Sequence, residues 1–414
     1  MRYVIIGASA AGINGAENLR RLDKKNEIIL ISEDEKIYSR CILHHYISSI
    51  RTVEELNFVD EDFFEKNNIK WLKNKKVIAL SDEKKEITLS DGEIVKFDKV
   101  LIASGSTPFI PPIENLREKK NVVGLKTLSD CEKIKELSKV SKNITVIGAG
   151  LIGMDAVVGL IHTKNKDLKI TLVEMSDRLL PLQLDKRASI AYEEKLRDNG
   201  VELILSSKVL KANLSKEDSS VVKSLLLEGD VEKTTDLIIV ATGIKSNVDF
   251  LKGSNIKVDK FGLLLNEKGE TNIEGIYGAG DVSGRGPIWS KAVKESIVAT
   301  SNMAGVDRVM DDFFVCKSTM NFFNIPTLSL GSMSECFQDS ELKVAILEEE
   351  GNYKKIMYRD GYIYGAIIQG DLSYSGILTQ LIKADIDISK VKKPIFSIDY
   401  SDFFRIKKDL EFEF

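Results

Sequence analysis

Apolar residues open the chain as a short run, continue at helical spacing, and close in a second short run. Tyr3-Val4-Ile5-Ile6 stops at Gly7, an amphipathic stretch runs from Ile13 to Asn26, and Ile28-Ile29-Leu30-Ile31 leads to Glu33. Continuous β-branched runs around a 3.6-period stretch predict strand, helix, strand. The pattern returns at Ile144-Thr145-Val146-Ile147-Gly148 and Ile170-Thr171-Leu172-Val173-Glu174, with 26 residues from first glycine to acid in both copies. Each copy has a further strand and turn downstream, Lys99 to Gly105 and Asp236 to Gly243. Two β-α-β units in tandem follow from this repeat.

Between and after these units the pattern shortens. Lys76 to Leu80, Glu86 to Leu89 and Ile94 to Phe97 predict a small meander with a turn at Ser90-Asp91-Gly92, and Val201 to Glu228 predicts its counterpart. Pro108, Pro111 and Pro112 mark an extended crossover. Thr271 to Asp281 reads as a strand ending in Gly280-Asp281. From about Phe313 short strands and turn signals take over, with a hairpin expected at Asp360-Gly361.

Each glycine turn sits where a dinucleotide site needs it. Gly7 permits the tight turn, Ser9 is small enough for backbone to approach a pyrophosphate, Gly12 lets the helix pack on the strand, and Glu33 is placed for a ribose hydroxyl. Gly148, Gly150 and Gly153 repeat the motif, and Glu174 repeats the acid. A carboxylate there pairs with a free 2′-hydroxyl and repels a 2′-phosphate, so NADH is favoured over NADPH, with Arg178 the nearby residue that would serve NADPH.

Composition narrows the function class. The chain has 414 residues, 43% apolar and 29% charged, with a net charge of −4 and lysines interspersed among acids, which argues against a nucleic-acid partner. No apolar run reaches the ~18 residues of a membrane span, and a strand beginning at residue 2 or 3 leaves no room for a signal peptide, so a cytoplasmic protein is expected. Cys41, Cys131, Cys316 and Cys336 show no paired spacing, so neither a disulfide framework nor a metal site is expected.

These motifs resemble the pyridine nucleotide-disulfide oxidoreductase superfamily over most of the chain. The resemblance implies an α/β fold with two interleaved Rossmann-like three-layer nucleotide-binding domains and an α+β C-terminal dimerisation domain. It places an FAD domain at 1–112 and 245–308, an NAD(P)H domain at 113–244, and the C-terminal domain at 309–414. Implied FAD residues are Gly7, Ser9, Ala10, Gly12, Glu33, Arg40, Ser104, Gly105, Gly280 and Asp281. Those implied for the nicotinamide nucleotide are Gly148, Gly150, Ile152, Gly153, Glu174 and Gly243, while Asp155 stands where relatives carry Glu. Lys291 and Ala292 follow the Gly-Asp turn, where the family approaches the flavin.

The segment Lys36 to Tyr46 bears on the electron acceptor. It holds one cysteine, which excludes the two-cysteine relay of glutathione reductase and its kind. Cys41 resembles the single cysteine of coenzyme A-disulfide reductases and NADH oxidases, whereas Tyr38-x-Arg40 resembles the loop of rubredoxin and ferredoxin reductases. Ala10 replaces the histidine of oxygen- and peroxide-reducing relatives. Beside Arg40 and at a helix start, Cys41 is expected to have a depressed pKa. His44 and His45 are expected on a helix surface or as proton donors, and the other three cysteines as structural. Three readings stay open: reduction of a small disulfide, persulfide or polysulfide through Cys41; direct reduction of a small redox protein; and a non-catalytic redox sensor. A homodimer is expected.

Overall fold

The first apolar run forms β1 (Arg2–Ile6), followed by α1 (Ala10–Leu22) and β2 (Glu27–Ile31). The computed structural model describes residues 1–163, 165, 167–310, 317–331, 333–403, 405–408 and 412–413. Down the chain come α2 (Leu43–Ile47), β3 (Ile69–Leu72), β4 (Lys99–Ile102), β5 (Val122–Gly124), α3 (Leu128–Val140), β6 (Asn143–Ile147), α4 (Leu151–Ile161) and β7 (Lys169–Val173). After these follow β8 (Leu237–Val240), β9 (Ile276–Gly278) and α5 (Trp289–Met303). By compactness the chain divides into Met1–Val173 with Ser207–Asp311, and Glu174–Ser206 with Asp312–Phe414.

In the first unit β9-β4-β1-β2-β3 form one parallel sheet, and β7-β6-β8-β5 are parallel neighbours in another. Val4, Ile5, Leu30, Leu101 and Ile102 are fully buried, which explains why these strands read as continuous apolar runs rather than alternating ones. One face of the first sheet packs Ile5, Leu30 and Leu101 against Ala16 and Leu19 of α1 and Ala299 of α5. The other packs Val4, Ile29 and Ile31 against Ile87, Leu89 and Val95 of the first meander, giving three layers. Helices α1 and α5 also meet through Asn18, whose Nδ2 donates to Thr300 Oγ1 at 2.9 Å.

Local chemistry moves several boundaries. Helix α1 ends at Leu22, short of Asn26, because Asp23 Oδ1 accepts the amides of Lys25 (2.9 Å) and Asn26 (3.0 Å) and turns the chain. The first meander forms as antiparallel Val77–Ser81, Glu86–Leu89 and Ile94–Lys96. The second comprises Val209–Leu214, Val222–Leu227 and Val231–Thr234, starting and ending later than its apolar pattern. Of Thr271 to Asp281 only Ile276–Gly278 is strand, and Gly280–Ser283 winds into a 3₁₀ turn.

In the second unit β10 (Lys317–Met320), β11 (Thr327–Gly331), β12 (Lys343–Glu349), β13 (Asn352–Arg359) and β14 (Tyr362–Gln369) form an antiparallel sheet in the order β10-β11-β14-β13-β12. Asp360 (φ 52°) and Gly361 (φ 84°) make the tight hairpin turn between β13 and β14. Tyr192 donates to Thr327 Oγ1 at 2.6 Å and meets Phe322 edge-on at 5.9 Å, so Phe322 serves this unit's own packing. Phe313, Phe314, Cys316 and Phe404 lie outside the described residues. Among the described residues no helix is long and apolar enough to cross a membrane.

Candidate functional site

The first finger is shaped by backbone contact. Gly7 has φ +110°, and a Cβ there would sit 2.1 Å from the Ala103 carbonyl oxygen; one on Gly12 would sit 1.8 Å from the Gly7 oxygen. Ser9 caps α1 with extended backbone and no side-chain bond, and the first turn holds no acid. The positive end of this thirteen-residue helix is thus free of internal counter-charge, as an anion site requires. Ala10 is buried against the strand.

Three other segments converge on this finger. Beyond β4, Ser104 Oγ donates to the Asn247 carbonyl at 2.8 Å, and Asn247 Nδ2 returns a bond to the Ser104 carbonyl at 3.0 Å, fixing the turn at Gly105. Gly280 faces α1 and α5 so closely that a Cβ would meet Ala11 Cβ at 3.3 Å and Ala292 Cβ at 3.4 Å. Its amide donates to Glu295 Oε2 at 2.8 Å, and Glu295 pairs with Lys291 at 3.1 Å. Asp281 Oδ2 accepts from Ser106 Oγ (2.9 Å) and Lys126 Nζ (2.6 Å). Glu33 lies exposed at the end of β2, 3.2 Å from Lys76.

The second finger repeats the first. A Cβ on Gly148 (φ +99°) would stand 2.5 Å from the Ala241 oxygen, and one on Gly153 would stand 1.9 Å from the Gly148 oxygen. Gly150 caps α4, whose first turn includes the half-buried Ile152 and again no acid, while Gly243 (φ +124°) has open space around it. Glu174 is buried and its Oε1 accepts the Ser176 amide at 2.8 Å. Arg178 is engaged by Asp177 (2.8 Å) and the Leu184 carbonyl (2.9 Å).

Cys41 lies in a 3₁₀ turn, Arg40–Ile42, leading into α2. The expectation that Arg40 depresses its pKa is not met. Arg40 binds Asp34 at 2.8 Å and the Lys126 carbonyl at 2.7 Å, with its guanidinium carbon 5.0 Å from the Tyr38 ring centroid. Tyr38 donates to Asp34 at 2.9 Å and accepts the Leu128 amide at 3.3 Å, so Tyr38-x-Arg40 is a clasp onto the start of α3. Cys41 is exposed, yet burial of its sulfur is the largest influence on it and pushes the thiol up, followed by the Asp155 carboxyl; Asp281 also raises it, and Lys126 and Ser39 only partly oppose them. Cys131 and Cys336 are buried.

The surface expectation for the paired histidines also needs correcting. His44 Nδ1 is buried 3.2 Å from Asp155 Oδ1, because α2 lies against α4 at Gly159, where a Cβ would stand 3.0 Å from the His44 carbonyl oxygen. Burial, then the neighbouring His45 and His162, bring the His44 pKa down to about 4. Burial holds the Asp155 carboxyl far above its ordinary range. His44, His45 and His162 are all the histidines in the chain. Neither Lys126 nor the His44–Asp155 contact was identified from sequence, because both arise where separate β-α-β units meet. Among the described residues no group of three or more His, Cys, Asp or Glu is arranged to hold a metal.

Comparison with known proteins agrees with this geometry. The family model for pyridine nucleotide-disulphide oxidoreductase matches residues 1–296, and that for the rubredoxin NAD+ reductase C-terminal domain matches residues 317–386. The NADH-dependent phenylglyoxylate dehydrogenase subunit epsilon of Aromatoleum evansii is 29% identical over 403 residues, covering 94% of this chain and 93% of that one. An NADH oxidase of Methanocaldococcus jannaschii is 31% identical over 326 residues, covering 74% of this chain and 71% of the relative. Among solved structures, a NAD-dependent persulfide reductase from A. fulgidus superposes with a TM-score of 0.81 at 26% identity, covering 93% of this chain and 77% of the other.

Proposed function

Because the chain belongs to the pyridine nucleotide-disulphide oxidoreductase family and is an NAD(P)H-dependent oxidoreductase, we propose that it passes electrons from NADH through FAD to a small disulfide, persulfide or polysulfide at Cys41. The observation that carries this reading is that Cys41 is the exposed cysteine among the described residues, in the turn Arg40–Ile42 that leads into α2.

The first finger fits FAD. Gly7 and Gly12 leave no room for side chains, the start of α1 offers unopposed amides for the pyrophosphate, and Glu33 and Asp281 supply carboxylates for ribose and ribityl hydroxyls. Ser104, Gly105, Gly280, Ala10 and Arg40 shape or brace the surrounding loops. When bound, FAD accepts hydride from the nicotinamide and passes two electrons on. Gly148, Gly150, Ile152, Gly153 and Gly243 shape the nicotinamide-nucleotide site, with Glu174 for its ribose. The buried carboxyl of Glu174 and the local engagement of Arg178 support NADH over NADPH. We assign the FAD domain to 1–112 and 245–308, the NADH domain to 113–244, and a dimerising domain to 309–414.

A second reading is direct transfer to a small redox protein such as rubredoxin. It is favoured by the match of residues 317–386 to the rubredoxin NAD+ reductase C-terminal domain. The two separate in one experiment: steady-state NADH oxidation with coenzyme A disulfide, polysulfide and rubredoxin in turn. Turnover with the sulfur acceptors supports the first reading, and turnover with rubredoxin alone overturns it. Heat-released cofactor should be FAD, and FMN or no flavin would overturn the cofactor assignment.

A further inference from the structure

Helix α4 carries a glycine that no turn requires. Gly159 lies inside the helix, where glycine is an unfavourable residue, and it is not among the glycines with positive φ. A Cβ there would stand 3.0 Å from the His44 carbonyl oxygen and 3.3 Å from both His44 Cβ and Ile47 Cβ. Glycine at 159 therefore serves the close approach of α2 to α4. We propose that Gly159 is a positioning residue for hydride transfer: it sets how deeply the segment 38–47 seats on α4, and through α4 the separation of the two nucleotide fingers.

The segment 38–47 is a strap from the first β-α-β unit laid on the second. It follows β2 and contains the Cys41 turn. Its start is fixed at the beginning of α3, where the Leu128 amide donates to Tyr38 at 3.3 Å and Arg40 donates to the Lys126 carbonyl at 2.7 Å. In its middle, Leu43 and Ile47 are buried, and Cys131 Sγ of α3 lies 3.9 Å from the Leu43 carbonyl oxygen. Near its end, Lys135 Nζ of α3 stands 4.0 Å from the Tyr46 ring centroid. These contacts with α3 hold the strap in place, so added volume at 159 is relieved by movement of α4. Gly150 caps the far end of that helix, about 14 Å away at the α-helical rise, and belongs to the nicotinamide-nucleotide finger.

Inside a single β-α-β unit such an approach would affect packing alone. Here it lies between the two parts that carry the fingers, so it sets the gap that hydride must cross. The inference rests on hydride passing from the nicotinamide to FAD, a step that both acceptor readings share. A methyl group at 159 needs a few tenths of an ångström more room. Misplacement by about 1 Å costs ~10²-fold in rate, so a shift of about a third to a half of that slows transfer about 5–10-fold. Affinity for NADH changes little, because Gly148, Gly150 and Gly153 keep their places relative to one another.

Gly159→Ala tests this in two ways. In the flavin-free protein, amide hydrogen exchange should quicken across Leu43–Ile47, and unchanged protection there overturns the close-approach argument. In rapid mixing of the FAD-loaded protein with saturating NADH, the limiting rate of flavin reduction should fall about 5–10-fold, with NADH affinity within about two-fold of the parent. Ile87→Val, a core change in the first meander, should lower stability yet keep the parent rate. A parent limiting rate in Gly159→Ala, a loss confined to NADH affinity, or an equal loss in Ile87→Val overturns the proposal. Should Gly159→Ala not fold, Tyr46→Leu carries the test, since it removes the Lys135 contact without adding volume. Its limiting rate should fall about 2–3-fold, and a parent rate overturns the proposal. Absence of flavin reduction by NADH in the parent protein overturns the hydride-transfer reading beneath it.

Discussion

Lys126→Met tests whether the clasp between the Gly280-Asp281 turn and the start of α3 is held by charge. Lys126 Nζ and Asp281 Oδ2 are 2.6 Å apart, with both side chains 17% exposed. At an effective dielectric of ~20, unit charges at that separation attract by about 6 kcal/mol before desolvation is subtracted. Fully exposed pairs retain ~0–1 kcal/mol of such attraction, whereas breaking a fully buried pair costs ~3–5 kcal/mol. Five-sixths burial and the remaining Ser106 hydrogen bond at 2.9 Å place the expected loss between these limits, at about 2 kcal/mol. Urea unfolding of Lys126→Met, Asp281→Asn and the double variant isolates the pair, since each single change removes the same contact. A coupling of ~1–3 kcal/mol is expected. Additive losses would refute the argument and reduce Lys126 to a packing residue.

Glu174→Ala should weaken NADH binding by ~1–3 kcal/mol through loss of a charge-assisted hydrogen bond, with NADPH weakened less; equal effects on both in a titration would contradict the ribose assignment. His44 has its folded pKa lowered from 6.5 to about 4, so its neutral burial contributes stability that is present above pH 6.5 and lost as pH falls towards 4. Because the raised Asp155 carboxyl acts with the opposite sign in the same window, the loss is read as the difference between parent and His44→Gln in unfolding at stepped pH, at most about 3 kcal/mol, and a pH-independent difference would refute it. Light scattering should give about twice the 46.2 kDa chain mass if the second unit dimerises, and a monomer at micromolar concentration would refute that.

Both β-α-β units were legible because backbone sterics dictate them: only glycine fits at 7, 12, 148 and 153, and sheets buried on both faces force uninterrupted apolar strands. The Asp360-Gly361 hairpin was legible for the same reason, since both residues take positive φ. Surroundings built from distant segments were not. Proximity in sequence assigned Arg40 to Cys41, but Asp34 and the Lys126 carbonyl compete for the guanidinium and win it. Adjacent histidines on a short helix read as surface residues because nothing local shows that α4 packs against His44. The pKa of Cys41 followed the same logic: burial first and then Asp155 from elsewhere in the chain push it up, and Ser39 of its own turn opposes them only in part.

The Cys41→Ser variant tests the central claim most directly. Hydride transfer from NADH needs only ring stacking, so the variant should keep FAD and be reduced at the parent rate. A hydroxyl cannot replace a thiolate as the attacking group, so turnover with coenzyme A disulfide and polysulfide should fall by orders of magnitude. Retained turnover with either sulfur acceptor would contradict the account and leave Cys41 a bystander in the Tyr38-x-Arg40 clasp.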